Sequence, residues 1–315
     1  MALTLAQAAL LSENDLQRGV LETFVQESSV FDRIPLMNIE GNAYAYNEEA
    51  TLPGVAFRSV NEAYVESTGT VVQRTESLSI LGGDADVDRF IVKTRGNLND
   101  QRATQLAMKI KAASYKFQDT FINGDVAVDP KGFDGLKKRL TGSQVLDVAT
   151  NGMGPVSGGH DFFDALDALI AAVPGINGAN GAIYANAGVR SRILSSGRRL
   201  GGAEMVKEDL TGKRVVMYNG IPVLDIGLTA AGGAIIPQTE TQGTAAGTAS
   251  SVYAVRFGED EGDQAVTGLT NGGVDIYDLG EISEKPVYRH RLEFYCGLAT
   301  FGGKAAARLR GVLNS

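Results

Sequence analysis

The sequence has no tryptophan, one cysteine (Cys296) and two histidines (His160 and His290). A single cysteine excludes an intrachain disulfide and a Cys-rich zinc or iron–sulfur centre. Two histidines leave few routes to a His-based metal site. Long apolar runs are also missing: no window approaches the ~18 apolar residues of a transmembrane helix. The start, Met1-Ala-Leu-Thr-Leu-Ala-Gln, has no basic segment, and its apolar stretch ends at Ser12-Glu-Asn-Asp, so it does not read as a signal peptide. These absences predict a protein made and used in water, in a compartment that is reducing or indifferent to redox. Positive charge is in deficit, with 29 Lys+Arg against 37 Asp+Glu and a net charge of −8. That balance argues against tight binding to nucleic acid, where phosphates need a cationic surface.

What remains is an ordinary globular composition. The chain has 315 residues, 43% hydrophobic and 21% charged. That excludes intrinsic disorder and is compatible with two domains or one large one. Leu16, Val20 and Phe24 recur at helical spacing, with Asn14 or Asp15 available as a cap. Leu3, Leu5, Leu10 and Leu11 precede the cap. They read equally as an arm that packs on a neighbour and as a helix packed on its own domain.

From Asn42 to Leu81 the pattern alternates: Ala43-Tyr-Ala-Tyr, Val55-Ala-Phe and Val71-Val-Gln-Arg-Thr-Glu-Ser-Leu-Ser-Ile read as strands, broken at Pro53-Gly54 and Gly69. Gln73, Arg74, Thr75, Glu76 and Ser77 put polar groups on both faces. A strand wet on both faces is not sandwiched in a core, so residues 43–81 predict a thin projecting β-arm. Next comes the clearest helix, Asn99 to Ile122, with Ala103, Leu106, Ala107, Ile110, Ala113, Phe117 and Phe121 on one stripe. Lys109, Lys111 and Lys116 suit its C-terminal half, and Asn123-Gly124 reads as a left-handed stop.

A more compact α/β pattern follows. Asp161 is a candidate cap for a helix with Phe162, Leu166, Leu169, Ile170 and Val173, closed by Pro174-Gly175. Ala182-Ile-Tyr is a short strand. A second helix carries Val189, Ile193 and Leu194 and closes at Gly197. Asn219-Gly220 joins Val215–Tyr218 to Ile221–Leu224 as a type I′ hairpin. Gly243 to Ser250 reads as a loop, and Val252–Phe257, Val274–Leu279 and Tyr288–Leu298 as strands.

No motif carries chemistry. Gly175-Ile-Asn-Gly-Ala-Asn-Gly181 and Thr211-Gly-Lys-Arg match neither nucleotide-loop pattern. Asp84-Ala-Asp-Val-Asp88 resembles the start of a calcium loop, but the required glycine is Arg89 and the required glutamate is Arg95. On a strand these three aspartates share a face, as wet carboxylates or as partners for arginines of another subunit. Gly258-Glu-Asp-Glu-Gly-Asp263 reads as a solvated acidic turn or a weak cation site. No G-x-S-x-G elbow exists. Cys296 and His290 share a strand face, separated by six positions and so by about 20 Å, too far to form a pair. No catalytic, cofactor-binding or metal-binding residue is expected.

The order of parts resembles the major capsid proteins of tailed bacteriophages, typified by phage HK97. Asn47-Glu-Glu-Ala-Thr-Leu-Pro-Gly-Val-Ala-Phe-Arg, Arg95-Gly-Asn-Leu-Asn-Asp-Gln, Asn123-Gly-Asp, Lys131-Gly-Phe-Asp-Gly-Leu and Tyr288-Arg-His-Arg-Leu-Glu-Phe-Tyr-Cys-Gly-Leu carry the resemblance. It implies an α+β chain with the HK97-like capsid fold. The implied divisions are an N-terminal arm (1–41), an extended β-loop (42–81) and a peripheral domain with a spine helix (82–145). An axial domain (146–250), returning peripheral strands (251–303) and a tail back on the axial domain (304–315) complete it. It also implies hexamers and pentamers in an icosahedral head assembled in the host cytoplasm. The head encloses double-stranded DNA without sequence-specific binding and without a membrane. Separate scaffolding, portal and decoration proteins would be partners. An encapsulin-like shell that encloses enzymes is the nearest alternative, and a soluble α+β enzyme the more distant one. Some relatives crosslink a lysine of the extended loop to an asparagine, but residues 42–81 contain no lysine. Arginine cannot readily replace it as a nucleophile, so covalent chain mail is not expected. The early start of the fold also makes the long cleaved scaffolding segment of some members unexpected here, unless the chain is a processed form.

Overall fold

A computed structural model describes residues 28–95, 101–201, 206–208 and 214–315. The expected helix around Leu16, Val20 and Phe24, the leucines before it, and residues 211–213 lie outside the described residues. Along the chain run β1 (Leu36–Asn38), β2 (Ala43–Thr51), β3 (Thr70–Ser77), β4 (Ser79–Asp88), α1 (Arg89–Arg95), α2 (Gln101–Asn123), α3 (Leu136–Arg139) and β5 (Val145–Asp147). Then come α4 (Pro155–Gly158), α5 (His160–Ala171), β6 (Gly181–Ala185), α6 (Ala187–Arg199), β7 (Val206–Glu208), β8 (Arg214–Tyr218) and β9 (Ile221–Asp225). The chain ends in β10 (Glu240–Gln242), β11 (Ala245–Arg256), β12 (Val266–Glu281), β13 (Val287–Thr300) and β14 (Ala306–Leu313).

The described strands form three sheets. One has the order β1-β12-β13-β4, a second β5-β14-β11-β6-β9-β8-β7 with β10 on β11, and the third is the β2–β3 hairpin. The spine helix α2 lies against the first. Its Leu106, Ile110, Phe117 and Phe121 are buried with Val274, Leu292, Phe294, Cys296 and Leu298 in one core. Ala103 and Ala107, expected on that stripe, are exposed. The strip that contacts the sheet is narrower than the apolar pattern, because alanine loses little by facing water.

Helix α2 stops for a different reason from the expected one. Gly124 is absent from the positive-φ residues. A Cβ there would lie 2.3 Å from the Phe133 carbonyl oxygen, and one at Gly135 would lie 2.4 Å from the Thr120 oxygen. The Gly135 N–H donates to the Gly124 oxygen at 2.9 Å. The two glycines let the chain fold back flush against the helix end, seating Phe133 and Leu136 in the core. By contrast, Asn219 and Gly220 have φ of 48° and 76°, as a type I′ turn demands.

Several boundaries differ from those expected. Val30, Phe31 and Ile34 are fully buried in the core of the described chain. Phe31 stacks on Phe117 at 4.3 Å between centroids, and β1 pairs in parallel with β12. Residues 28–39 are therefore fold, not arm. Most of the expected loop at 243–250 is strand β11, which continues through residue 250 into the eight-stranded sheet rather than the spine-helix sheet. Its small residues pack closely: Ser250 is fully buried and accepts from Asn186 Nδ2 at 3.1 Å. No strand forms at Val55-Ala-Phe, since β2 ends at Thr51 and β3 begins at Thr70. Gly159, not Asp161, stands at the N-cap of α5, and α6 runs past Gly197 to Arg199. Strand β14 lies between β11 and β5 in the eight-stranded sheet.

Candidate assembly surface

The β2–β3 hairpin is anchored at its root. Tyr46 is buried edge-on against Phe301 at 4.8 Å, and its hydroxyl donates to the Thr300 oxygen at 3.1 Å. Tyr44 also meets Phe301 edge-on, at 6.1 Å, and donates to Glu261 Oε2 at 3.2 Å. Arg139 of α3 grips Glu76 of β3 at two points, 2.5 and 2.7 Å. Farther out, Arg74 pairs with Glu48 across the two strands. Thr51 and Thr70 hydroxyls close the ladder at 2.6 Å.

Beyond that point the hairpin becomes a bare apolar tip. Leu52, Val55, Phe57, Val60, Tyr64 and Val65 are all exposed, Phe57 completely. A contiguous set of this kind on one segment marks an interaction site rather than ordinary surface scatter. The tip is organised by polar contacts of its own. Arg58 donates to the Glu62 oxygen at 3.2 Å and lies 5.1 Å from the centre of the Tyr64 ring. Sequence patterning exposed the wet strands but missed this apolar cap, because the residues are spaced irregularly.

The aspartate row Asp84, Asp86 and Asp88 does not wait for another subunit. Strands β4 and β13 pair so that Arg291 faces Asp84 and Arg289 faces Asp86. Arg291 Nε lies 2.8 Å from Asp84 Oδ1, and Arg289 Nη2 lies 2.6 Å from Asp86 Oδ2. Arg289 Nη1 adds a contact to Asp84 at 3.4 Å, while Asp88 caps α1 through the Phe90 N–H at 2.7 Å. Hydrogen bonds from Arg291 hold the Asp84 carboxyl below its usual range, and those from Arg289 do the same for Asp86. The signal was present in the sequence: two strands with the same two-residue alternation and opposite charges.

Cys296 is buried, and burial pushes its thiol up to about 12, so it is not a nucleophile at neutral pH. His290 Nε2 faces Asp278 at 3.6 Å and Arg102 at 3.2 Å, far along the strand from Cys296. In the 175–181 loop, Asn177 Oδ1 accepts from the N–H groups of Ala179 and Asn180 at 2.9 and 3.1 Å. Those amides are therefore not free to cradle a phosphate. In the acidic loop, Asp260 accepts from the Gly262 N–H and Asp263 from the Glu259 N–H. No group of three or more metal-ligating side chains occurs among the described residues. A 170 Å³ cleft at the hairpin root is lined by Glu48, Arg74, Arg139, Gln144 and Thr300.

A projecting hairpin, a long helix on a four-stranded sheet and a second, larger sheet form a recognisable combination. The family model of major capsid protein GP7 matches residues 12–153. No curated protein matches the chain by sequence. Among solved structures, the holo-SrpI encapsulin complex of Synechococcus elongatus PCC 7942 aligns with a TM-score of 0.65 at 19% identity, covering 90% of this chain and 86% of that one. The capsid of the native GTA particle aligns at 0.60 and 15%, covering 91% and 90%. Mycobacterium phage Bobi aligns at 0.58 and 14%, covering 90% and 89%.

The chain has the HK97-type capsid fold. The match to the major capsid protein GP7 model over residues 12–153 agrees with the resemblance seen in the sequence. The capsid fold also accounts for a molecule whose most conspicuous surface is a hairpin tip rather than a pocket.

Proposed function

We propose that this chain is the main shell subunit of a tailed-phage head or a phage-like particle, assembling as hexamers and pentamers around double-stranded DNA. The observation that carries the proposal is the hairpin: a rooted, internally ordered arm ending in six exposed apolar side chains. Ordering such a segment costs conformational entropy that its few self-contacts do not offset. Docking on another copy supplies the missing burial. Large closed assemblies need several distinct surfaces per subunit, and a projecting arm provides one.

In this reading the chain performs no catalysis, and the DNA is enclosed without sequence recognition, in keeping with the net charge of −8. Separate scaffolding, portal and decoration proteins complete the head, which assembles in the host cytoplasm. The spine-helix sheet forms the peripheral domain and the eight-stranded sheet the axial domain.

The encapsulin neighbour supports a second reading, a nanocompartment shell, because that protein aligns over most of both chains. Expression with the neighbouring genes tests the two. Particles that protect DNA from nuclease support the phage reading. Particles that retain a cargo enzyme and no DNA support the compartment.

A further inference from the structure

Helices α5 and α6 carry opposite charges that do not meet within the subunit. Helix α5 presents Asp161, Asp164 and Asp167 with no Lys or Arg along its length. Helix α6 presents Arg190, Arg192, Arg198 and Arg199 with no Asp or Glu. Their inner faces, through Phe162, Leu166 and Leu169 and through Val189 and Ile193, enter the same core. The three aspartates and Arg192, Arg198 and Arg199 are exposed, and Arg190 is half-buried.

A spacing of three draws the aspartates into one stripe. Arg192 and Arg199 stand two turns apart on one side of α6. Asp167 accepts from the Tyr218 hydroxyl at 2.7 Å. Among the described residues, Asp161 and Asp164 have no ion pair, and none of the four arginines has one. Arg198 and Arg199 suit the dipole at the C-terminal end of α6, but Arg190 and Arg192 gain nothing from it. Arg190 sits in the first turn of α6, where the helix dipole disfavours a cation, and no carboxylate within the helix relieves the row.

We infer that the acidic face of α5 on one subunit docks against the basic face of α6 on a second copy of this chain. The inference rests on the shell reading above. The two faces differ, so the contact is head-to-tail, the type that closes into a ring. Complementary charge of this kind steers encounter and disfavours wrong pairings, and its effect weakens as salt rises.

The test is a charge swap, read as particle yield at low salt by sedimentation and negative-stain microscopy. Arg192→Glu with Arg199→Glu, and separately Asp161→Arg with Asp164→Arg, should each lower the yield by about tenfold or more. The two pairs combined in one chain should recover it, because the charges are exchanged rather than lost. If a reversal unfolds the subunit by circular dichroism, Arg192→Gln with Arg199→Gln replaces it, with a smaller loss expected. Unmodified chains that form particles while neither pair changes the yield would overturn the contact alone. So would an arginine-reversed shell that assembles fully but loses its DNA, since α6 would then line the interior. Unmodified chains that form no particle under any condition would overturn the shell reading, and this contact with it.

Discussion

Arg139 and Glu76 form a two-point ion pair between the short helix α3 and the hairpin strand β3, at 2.5 and 2.7 Å. Both side chains are largely shielded, at 14% and 17% exposure. This pair, together with Tyr46 against Phe301, fixes the angle at which the hairpin leaves the body. The hairpin's outward reach therefore depends on a contact at its root.

Arg139→Ala leaves a shielded carboxylate without its partner. A hydrogen-bonded charge of this sort is worth about 1.5–3 kcal/mol. Hydrogen exchange should accelerate for the amides of residues 70–77, with little change in the α2 amides. Equal acceleration in both regions would mean that Arg139 supports the core rather than the arm.

Removal of the hairpin tip separates folding from assembly. Replacing residues 53–68 with a two-residue turn should leave the subunit's melting temperature nearly unchanged, because the tip buries nothing within the chain. The same variant should form no shells. A large loss of subunit stability would contradict the arm reading.

The spine helix makes the opposite prediction. Leu106→Ala and Ile110→Ala remove side chains that are 5% and 3% exposed. Each should cost about 2–5 kcal/mol in denaturant unfolding. Changes within about 0.5 kcal/mol, typical of surface sites, would show that the face is not core.

The paired aspartates give an acid dependence. Asp84 and Asp86 titrate below their usual range when folded, so the folded state binds fewer protons than the unfolded state there. Their stabilisation is present above the ordinary carboxylate pKa and is lost as pH falls through the lowered values. The melting temperature should decline as the pH falls from about 4 towards 2. Arg289→Gln with Arg291→Gln should flatten that decline. Because the pairs are exposed to solvent, screening keeps the contribution of each small. An unchanged acid profile in the double variant would exclude these pairs as its source.

Much of this architecture was legible in the residues. The polar alternation from Gln73 to Ser77 exposed the hairpin, the Leu106–Phe121 stripe exposed the spine, and Asn219-Gly220 fixed a turn by its conformational demand. Other features were hidden because they depend on distant partners. Residues 30–34 carry too short an apolar run to announce burial, yet Phe31 finds Phe117 far along the chain. Strand β11 is built of Ala and Ser, whose small volume reads as loop until the neighbouring strands are in place. Gly124 read as a left-handed stop, but together with Gly135 it serves close backbone approach. Asp84 and Asp86 could be placed on one face from sequence, while Arg289 and Arg291 became their partners only through the β4–β13 register.

No covalent link between subunits is expected. Residues 42–81 offer no lysine, and Cys296 is buried. Assembled particles boiled in detergent without reductant should give a single 33.2 kDa band. A ladder of multimers surviving the treatment would reveal a crosslink.

Electron microscopy of the purified chain, expressed alone and with its neighbouring genes, tests the central claim most directly. The account predicts closed icosahedral shells built of five- and six-membered rings, with the hairpin tip lying on an adjacent subunit. A uniform monomer or dimer under every assembly condition, with the tip exposed to solvent, would contradict it.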